Sequence, residues 1–245
     1  MKHSTFQLLS GVILLFAGVF AFSACGNDES YPDDTVTIGM ATVEKPPQYD
    51  APYFVLDNGE KLWVVQTLLP YKDLKAGERI FGNYSFLEPG KDGFNYYIRL
   101  NDYTMVPIQN IIDLTPDNVD SIGNNKVEIK DMWPSPEFFN VRFMLNFPNP
   151  QRPILNLVVN RMIPLADDGY AHLELRYNSN GSNGRLVPGL VSFRLGGYAP
   201  AGSDLKGLKV LVNTTAEGEK TYTFPYPLTG QETPTFNPLD LSELK

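Results

Sequence analysis

Very few side chains in this chain could do chemistry. Its 245 residues include one cysteine and two histidines. Cys25 follows Ser23 and Ala24, which close an apolar run from Leu8 to Phe22 broken by Ser10, Gly11 and Gly18 and preceded by Lys2. This is the order of a secretory leader ending in a lipobox, and the run is shorter than the roughly 20 apolar residues of a spanning helix. It predicts that residues 1–24 are removed and that Cys25 becomes the N-terminus, carrying a diacylglycerol thioether and an amide-linked, palmitate-type acyl chain. Two or more such chains hold a protein stably to a lipid bilayer, at about 0.8 kcal/mol per buried methylene. Phe22 departs from the Leu usual at its position.

Once the leader is removed, His172 is the sole histidine and no thiol is free. Thiolate nucleophiles and Cys/His metal sites are thereby excluded, and a Ser-His-Asp triad would have to run through His172. His172 shares the polar positions of its strand with Glu174 and Arg176, so it reads as a solvated strand residue. Asp167-Asp168-Gly169 reads as a hairpin turn rather than a carboxylate pair or cation site. Asn178 to Gly184 has no carboxylate and reads as a long flexible hairpin. Gly77 to Gly82 and Gly90 to Gly93 lack the strand–loop–helix order of a phosphate cradle. No catalytic residue, metal or cofactor is assigned, and the chain is expected not to be an enzyme. The remaining candidates are on a strand: Tyr97 and Arg99 fall opposite Tyr96 and Ile98 and form the candidate contact patch. Trp63 and Trp133 read as packed.

Losing Lys2 leaves 19 basic residues against 28 acidic ones, a balance of −9. Nucleic acid, which needs a basic face, is excluded as a partner. Residues 25–34 form an acidic linker. Asp28 and Glu29 beside the cysteine resemble the signal that sends lipoproteins of Bacteroidota-type bacteria to the outer face of the outer membrane, so surface display is expected.

The elements behind these residues are strands. Thr35–Val43, Tyr53–Leu56, Leu62–Val65, Arg79–Leu87, Phe94–Leu100 and Val106–Leu114 are short and mostly alternating, with Asn58-Gly59 as a hairpin turn and Leu68–Leu74 as a short connection. Gly82 inside a strand suggests the bend of a small barrel. Residues 35–115 are thus expected to form an OB-like barrel and 116–125 a linker. Residues 126–245 carry about seven alternating strands, led by Phe139, Val141, Phe143, Leu145 and Phe147, with one buried and one mostly wet face. They predict an antiparallel β-sandwich, its Pro- and Thr-rich tail lying over the surface. The chain is all-β.

Several ordered stretches resemble the NigD-like lipoprotein family: Tyr53 to Trp63 (YFVLDNGEKLW), Lys75 to Ile80, Tyr96 to Asn101, Ser121 to Asn125, the Trp133 segment and Gly218 to Tyr222. The resemblance implies a lipobox leader, an N-terminal OB-like domain and a C-terminal β-sandwich. It also implies a bacteriocin-immunity label that rests on operon context and brings no catalytic motif. The expected function is that of an outer-membrane-anchored, non-enzymatic lipoprotein binding a protein partner; the alternative is a surface glycan-binding module.

Overall fold

A computed structural model describes residues 36–147 and 154–228, with Phe236, Ser242 and Leu244. Cys25, its leader and the acidic linker lie outside the described residues. Barrel and sandwich fall within one compact unit, 31–245.

Five strands close the barrel: β1 (Val36–Glu44), β2 (Tyr53–Leu56), β3 (Lys61–Gln66), β4 (Arg79–Pro89) and β5 (Tyr96–Val106), in the order β1-β2-β3-β5-β4. β3 and β5 run parallel and the other pairs antiparallel. Inward positions alternate as expected of a half-buried strand: Ala41, Val43, Phe54, Leu62, Val64, Ile80, Tyr84, Ile98 and Leu100 form the core, closed from below by Tyr71 and Leu74 of the 67–78 connection. Gly82 pairs with Gly39 across the β1–β4 ladder. A Cβ on Gly82 would lie 2.3 Å from the Tyr84 hydroxyl oxygen, so the glycine makes room for that ring.

Two sheets form the sandwich. β6 (Ile108–Asn110), β7 (Ile112–Leu114), β8 (Glu128–Pro134), β9 (Phe138–Phe147), β10 (Ile154–Asn160), β11 (Ala171–Asn178), β12 (Arg185–Arg194), β13 (Gly207–Thr214) and β14 (Gly218–Pro225) are ordered β14-β13-β11-β10-β7 and β6-β12-β9-β8. Their facing sides share one core that includes Phe139, Val141, Leu157, Leu173, Leu175, Phe193, Val210 and Val212.

Four expectations change. Residues 108–114 do not close the barrel. At Ile111 the chain passes from one sandwich sheet to the other, with β6 pairing with β12 and β7 with β10. The sandwich is mixed rather than purely antiparallel, because β7–β10, β6–β12 and β11–β13 are parallel pairs. Residues 178–184 are not a hairpin but carry the chain from one sheet to the other. Within 116–125, α1 (Val119–Ile122) buries Ile122 against Leu114 and Val158, so this stretch packs as well as links.

The face of β9 expected to be mostly wet is buried at its start, because it meets the barrel. Ile38, Met40, Phe81 and Val106 of the barrel pack on Trp133 and Leu190 of the sandwich. Phe236 of the tail enters the same seam, with its ring 4.8 Å from Phe81 and 5.4 Å from Trp133. At the other end of β9, Phe147 is exposed.

A buried polar knot lies beside this apolar seam. The Arg79 side chain is 1% exposed and that of Asp57 6%. The guanidinium donates to Asp57 Oδ1 at 2.7 Å and Oδ2 at 3.1 Å, to Thr42 Oγ1 at 3.0 Å and to Asn140 Oδ1 at 3.1 Å. Trp133 Nε1 and Asn140 Nδ2 both donate to Asp57 Oδ2, at 3.2 and 3.0 Å, and Ser192 Oγ donates to Asn140 Oδ1 at 2.7 Å. Fork-to-fork geometry suits Arg, not Lys. Removing one partner strands a buried charge, so Arg79→Ala is expected to cost about 3–5 kcal/mol in urea unfolding. Replacing Arg79 and Asp57 together by apolar residues is expected to recover part of that loss. Recovery stays incomplete because Trp133 and Asn140 would keep donors without an acceptor.

Candidate functional site

The outward positions of β2, β3 and β5 form an aromatic ledge. Tyr53 leads β2; Trp63 and Val65 face outward on β3; Tyr97 is the cross-strand partner of Trp63. Tyr49 from the β1–β2 loop and Phe94 from the β4–β5 loop join them. Ring centroids lie 5.0 Å apart for Trp63–Phe94, 5.2 Å for Tyr53–Phe94, 5.3 Å for Tyr49–Trp63 and 5.7 Å for Tyr49–Phe94. Adjacent planes are tilted by 48° to 83°, so the rings brace one another edge to face instead of forming a flat row. All five aromatics are half-buried, while Val65 and Leu87 beside them are exposed.

The two candidate residues separate in role. Tyr97 belongs to the ledge. Arg99 lies on the same side of β5 but is tied into a ladder with β4. Its Nε donates to Asn101 Oδ1 at 3.0 Å and its Nη2 to Ser85 Oγ at 3.3 Å, and Asn101 Nδ2 donates onward to Asn83 and Ser85. Trp133 is packed, as expected, whereas Trp63 is only half-covered. Tyr49, Tyr53, Trp63 and Phe94 were not singled out by pattern. The signal that points to them is the density of rings around the Asn58-Gly59 turn and the 90–93 turn, where no inward position remains to take them.

A cleft of about 210 Å³ opens where β1 and β2 meet the β8–β9 turn. Glu44, Asp57 and Glu137 line it with Arg79, Val55, Pro136 and Phe138. Glu44 is the ladder partner of Tyr53. Burial, then Glu44, then Tyr49 push the Tyr53 phenol above its ordinary value. Ledge and cleft are therefore continuous along the outer positions of β2.

On the sandwich, His172 is not a lone solvated side chain. Its Nε2 lies 2.9 Å from Asp168 Oδ1, and Lys209 Nζ donates to Asp168 Oδ2 at 2.6 Å. Lys206 Nζ holds the Asp168 carbonyl. Asp168 thus ties the 161–170 loop to the sheet between β10 and β11, where it does serve the hairpin connection. Glu174 is similarly taken up by Arg176 and Asn160. Apolar Ile163 and Leu165 of the loop stand exposed above cavities of about 190 and 290 Å³ that both touch His172. Among the described residues no group of three or more His, Cys, Asp or Glu could hold a metal ion.

The NigD-like N-terminal OB domain matches residues 40–106 and the NigD-like C-terminal β-sandwich domain residues 110–226. The chain belongs to the NigD-like family. A protein of unknown function from Bacteroides vulgatus is 75% identical, with 86% of this chain and 100% of that chain covered and a TM-score of 0.84. A Parabacteroides distasonis protein whose name relates it to a toxin is 25% identical over 78% of this chain and 93% of its own, with a TM-score of 0.62. A NigD-like immunity protein from Bacteroides caccae shares the fold at 14% identity and a TM-score of 0.54, covering 80% and 99%. No curated protein sequence matches the chain. The boundary between the two family domains falls at 107–109, beside the start of β6, where the chain leaves the barrel.

Lys209 foremost, then His172 and the Tyr170 N–H, hold the Asp168 carboxyl well below the usual carboxylate range. A depressed pKa stabilises the fold above the unfolded value, about 3.9, and that contribution is lost as pH falls through the folded value. Asp168→Asn is therefore expected to lower the urea midpoint at about pH 7, and its difference from wild type to shrink below about pH 4.

Proposed function

We propose that this NigD-like protein is a non-enzymatic lipoprotein, anchored in the outer membrane through acylated Cys25 and displayed at the cell surface. It binds a protein partner through the aromatic ledge of its barrel, with self-protection against a bacteriocin as the specific form. The ledge is the observation that carries this reading. Four braced, half-exposed rings, with half-exposed Tyr97 as the strand partner of Trp63 and exposed Val65 and Leu87 nearby, are rare on a surface with no partner, and aromatic anchors dominate protein interfaces. The toxin-related name of the Parabacteroides distasonis relative supports the same direction. The glycan alternative receives no such support, because stacking on sugars favours an open, coplanar row and these planes are tilted by 48° or more.

Crosslinking on intact cells, with the toxin gene product of the same locus as bait, tests the reading. Wild type is expected to be captured. Trp63→Ala combined with Phe94→Ala is expected to fold and to lose capture roughly a hundredfold, as loss of two anchors at about 1.4 kcal/mol each implies. Undiminished capture by that variant, or unchanged toxin sensitivity of a deletion strain, would overturn it. For the anchor, Cys25→Ala is expected to abolish palmitate labelling and to leave either an uncleaved precursor or a body released to the periplasm, read by fractionation.

A further inference from the structure

We infer that the partner segment lying on the aromatic ledge is basic, and that it places one arginine or lysine side chain in the cleft at the end of β2. This rests on the partner-binding reading above and adds the chemistry of the partner.

The charge balance of the cleft comes first. Glu44, Asp57 and Glu137 line it against a single cation, Arg79. Arg79 and Asp57 neutralise each other in the buried fork. That leaves Glu44 and Glu137, and neither carboxylate has a hydrogen-bonded or ion-paired partner among the described residues. They differ in this from Asp168 and Glu174 on the sandwich, which are held by Lys209, His172, Arg176 and Asn160.

Size and walls come next. At about 210 Å³ the cleft is smaller than the roughly 300–1,000 Å³ of drug-sized ligand sites, and it has room for one long side chain. Val55, Pro136 and Phe138 offer apolar surface to an aliphatic stem while the carboxylates meet its charged head. Arg194, whose guanidinium lies 5.1 Å from the Phe138 ring centre, is not among the lining residues.

A third observation concerns an unmet donor. Arg79 lines the cleft, is 1% exposed, and its Nε is the one buried side-chain nitrogen or oxygen without a partner among the described residues. An unmet buried donor is destabilising until an acceptor reaches it. An extended segment running from the ledge into the cleft presents backbone carbonyls, and one of them meets Nε–H once the cleft wall shifts, since that nitrogen is itself closed to solvent. The overall balance of −8 favours a basic partner at longer range as well.

The test is an amide-resolved NMR titration of the intact soluble body with acetyl-Tyr-Gly-Arg-Gly-amide and with the same peptide carrying citrulline, which keeps the shape and removes the charge. The arginine peptide is expected to saturate, to shift the amides of Glu44, Glu137 and Tyr53, and to bind roughly tenfold tighter than the citrulline peptide. Glu44→Gln and Glu137→Gln, neither a member of the barrel core, are each expected to weaken it severalfold while leaving citrulline binding unchanged. Equal affinity for the two peptides, shifts confined to the sandwich, or no saturable binding by either would overturn the inference. If capture of the protein partner depends on Trp63 and Phe94 while the two peptides bind equally, the basic-segment inference alone falls. If capture does not depend on them, the ledge reading falls as well.

Discussion

The buried pair of Arg79 and Asp57 is the constraint on which the rest depends. Two charges removed from water cost several kcal/mol each, and here the offsetting hydrogen-bond set is complete except at Arg79 Nε. Here the set is assembled from both domains. Thr42, Asp57 and Arg79 come from the barrel, Trp133, Asn140 and Ser192 from the sandwich. Apolar contact through Phe81, Trp133 and Phe236 supplies attraction but tolerates sliding. A bidentate fork that must also meet Asn140 and Trp133 admits one orientation. The pair therefore acts on register more than on net stability, and it sets the mouth of the cleft, since Asp57 and Arg79 line that cleft from behind.

The same pair explains why charges elsewhere carry less meaning. On the outer face of the β10–β11–β13 sheet, Asp168, His172, Lys209, Glu174 and Arg176 are close enough to invite a catalytic reading. Their geometry answers it. Asp168 divides its two oxygens between Lys209 and His172, and Glu174 divides its own between Asn160 and Arg176. Each carboxylate is spent on holding a loop or a strand neighbour. The Asp168 pairs are partly exposed and the Glu174–Arg176 pair is largely covered, and both mainly fix local geometry. By contrast, Glu44 and Glu137 line a cleft without a hydrogen-bonded or ion-paired partner among the described residues.

Period-two patterning made most of the fold legible. Phe54, Leu62, Ile80, Ile98, Val141, Leu157, Leu173 and Val210 all fall on buried faces as their alternation implies. What alternation cannot carry is pairing between distant segments. The 108–114 stretch reads as one strand, and only the pairings on either side of Ile111 show that it serves two sheets. The parallel pairs of β11 with β13 and β6 with β12 are equally silent, because a strand looks the same to either kind of neighbour. Asn58-Gly59 reads as a turn and forms one, yet the Asp57 that begins it carries a long-range ion pair that local turn chemistry gives no reason to expect. Three stretches that carry the family resemblance each supply one member of the knot: Asp57 from YFVLDNGEKLW, Arg79 from the Lys75–Ile80 stretch, and Trp133. Their meaning appears only when the two domains meet. Of the contact patch, Tyr97 was legible by alternation. Arg99 shares that side of the strand, and its hydrogen bonds to Asn101 and to Ser85 across the β4–β5 ladder have no signature in spacing.

The ledge and the cleft differ in how they can recognise a partner. The rings of Tyr49, Tyr53, Trp63 and Phe94 hold one another at 5.0 to 5.9 Å, so little side-chain freedom is left to lose on contact. Ordering costs of about 0.5–1.5 kcal/mol per mobile side chain are thereby avoided, and the surface is preorganised for affinity. It is not selective by itself, since an aromatic face accepts many apolar groups. Selectivity needs groups that penalise the wrong partner. Glu44 and Glu137 do so, because burying either carboxylate against an apolar or acidic segment would desolvate it without compensation. The register imposed by Arg79 and Asp57 keeps these two functions side by side: Tyr53 and Val55 of β2, then Asp57 just past its end, lead in succession from the ledge, along the cleft wall, to the knot that orients both domains.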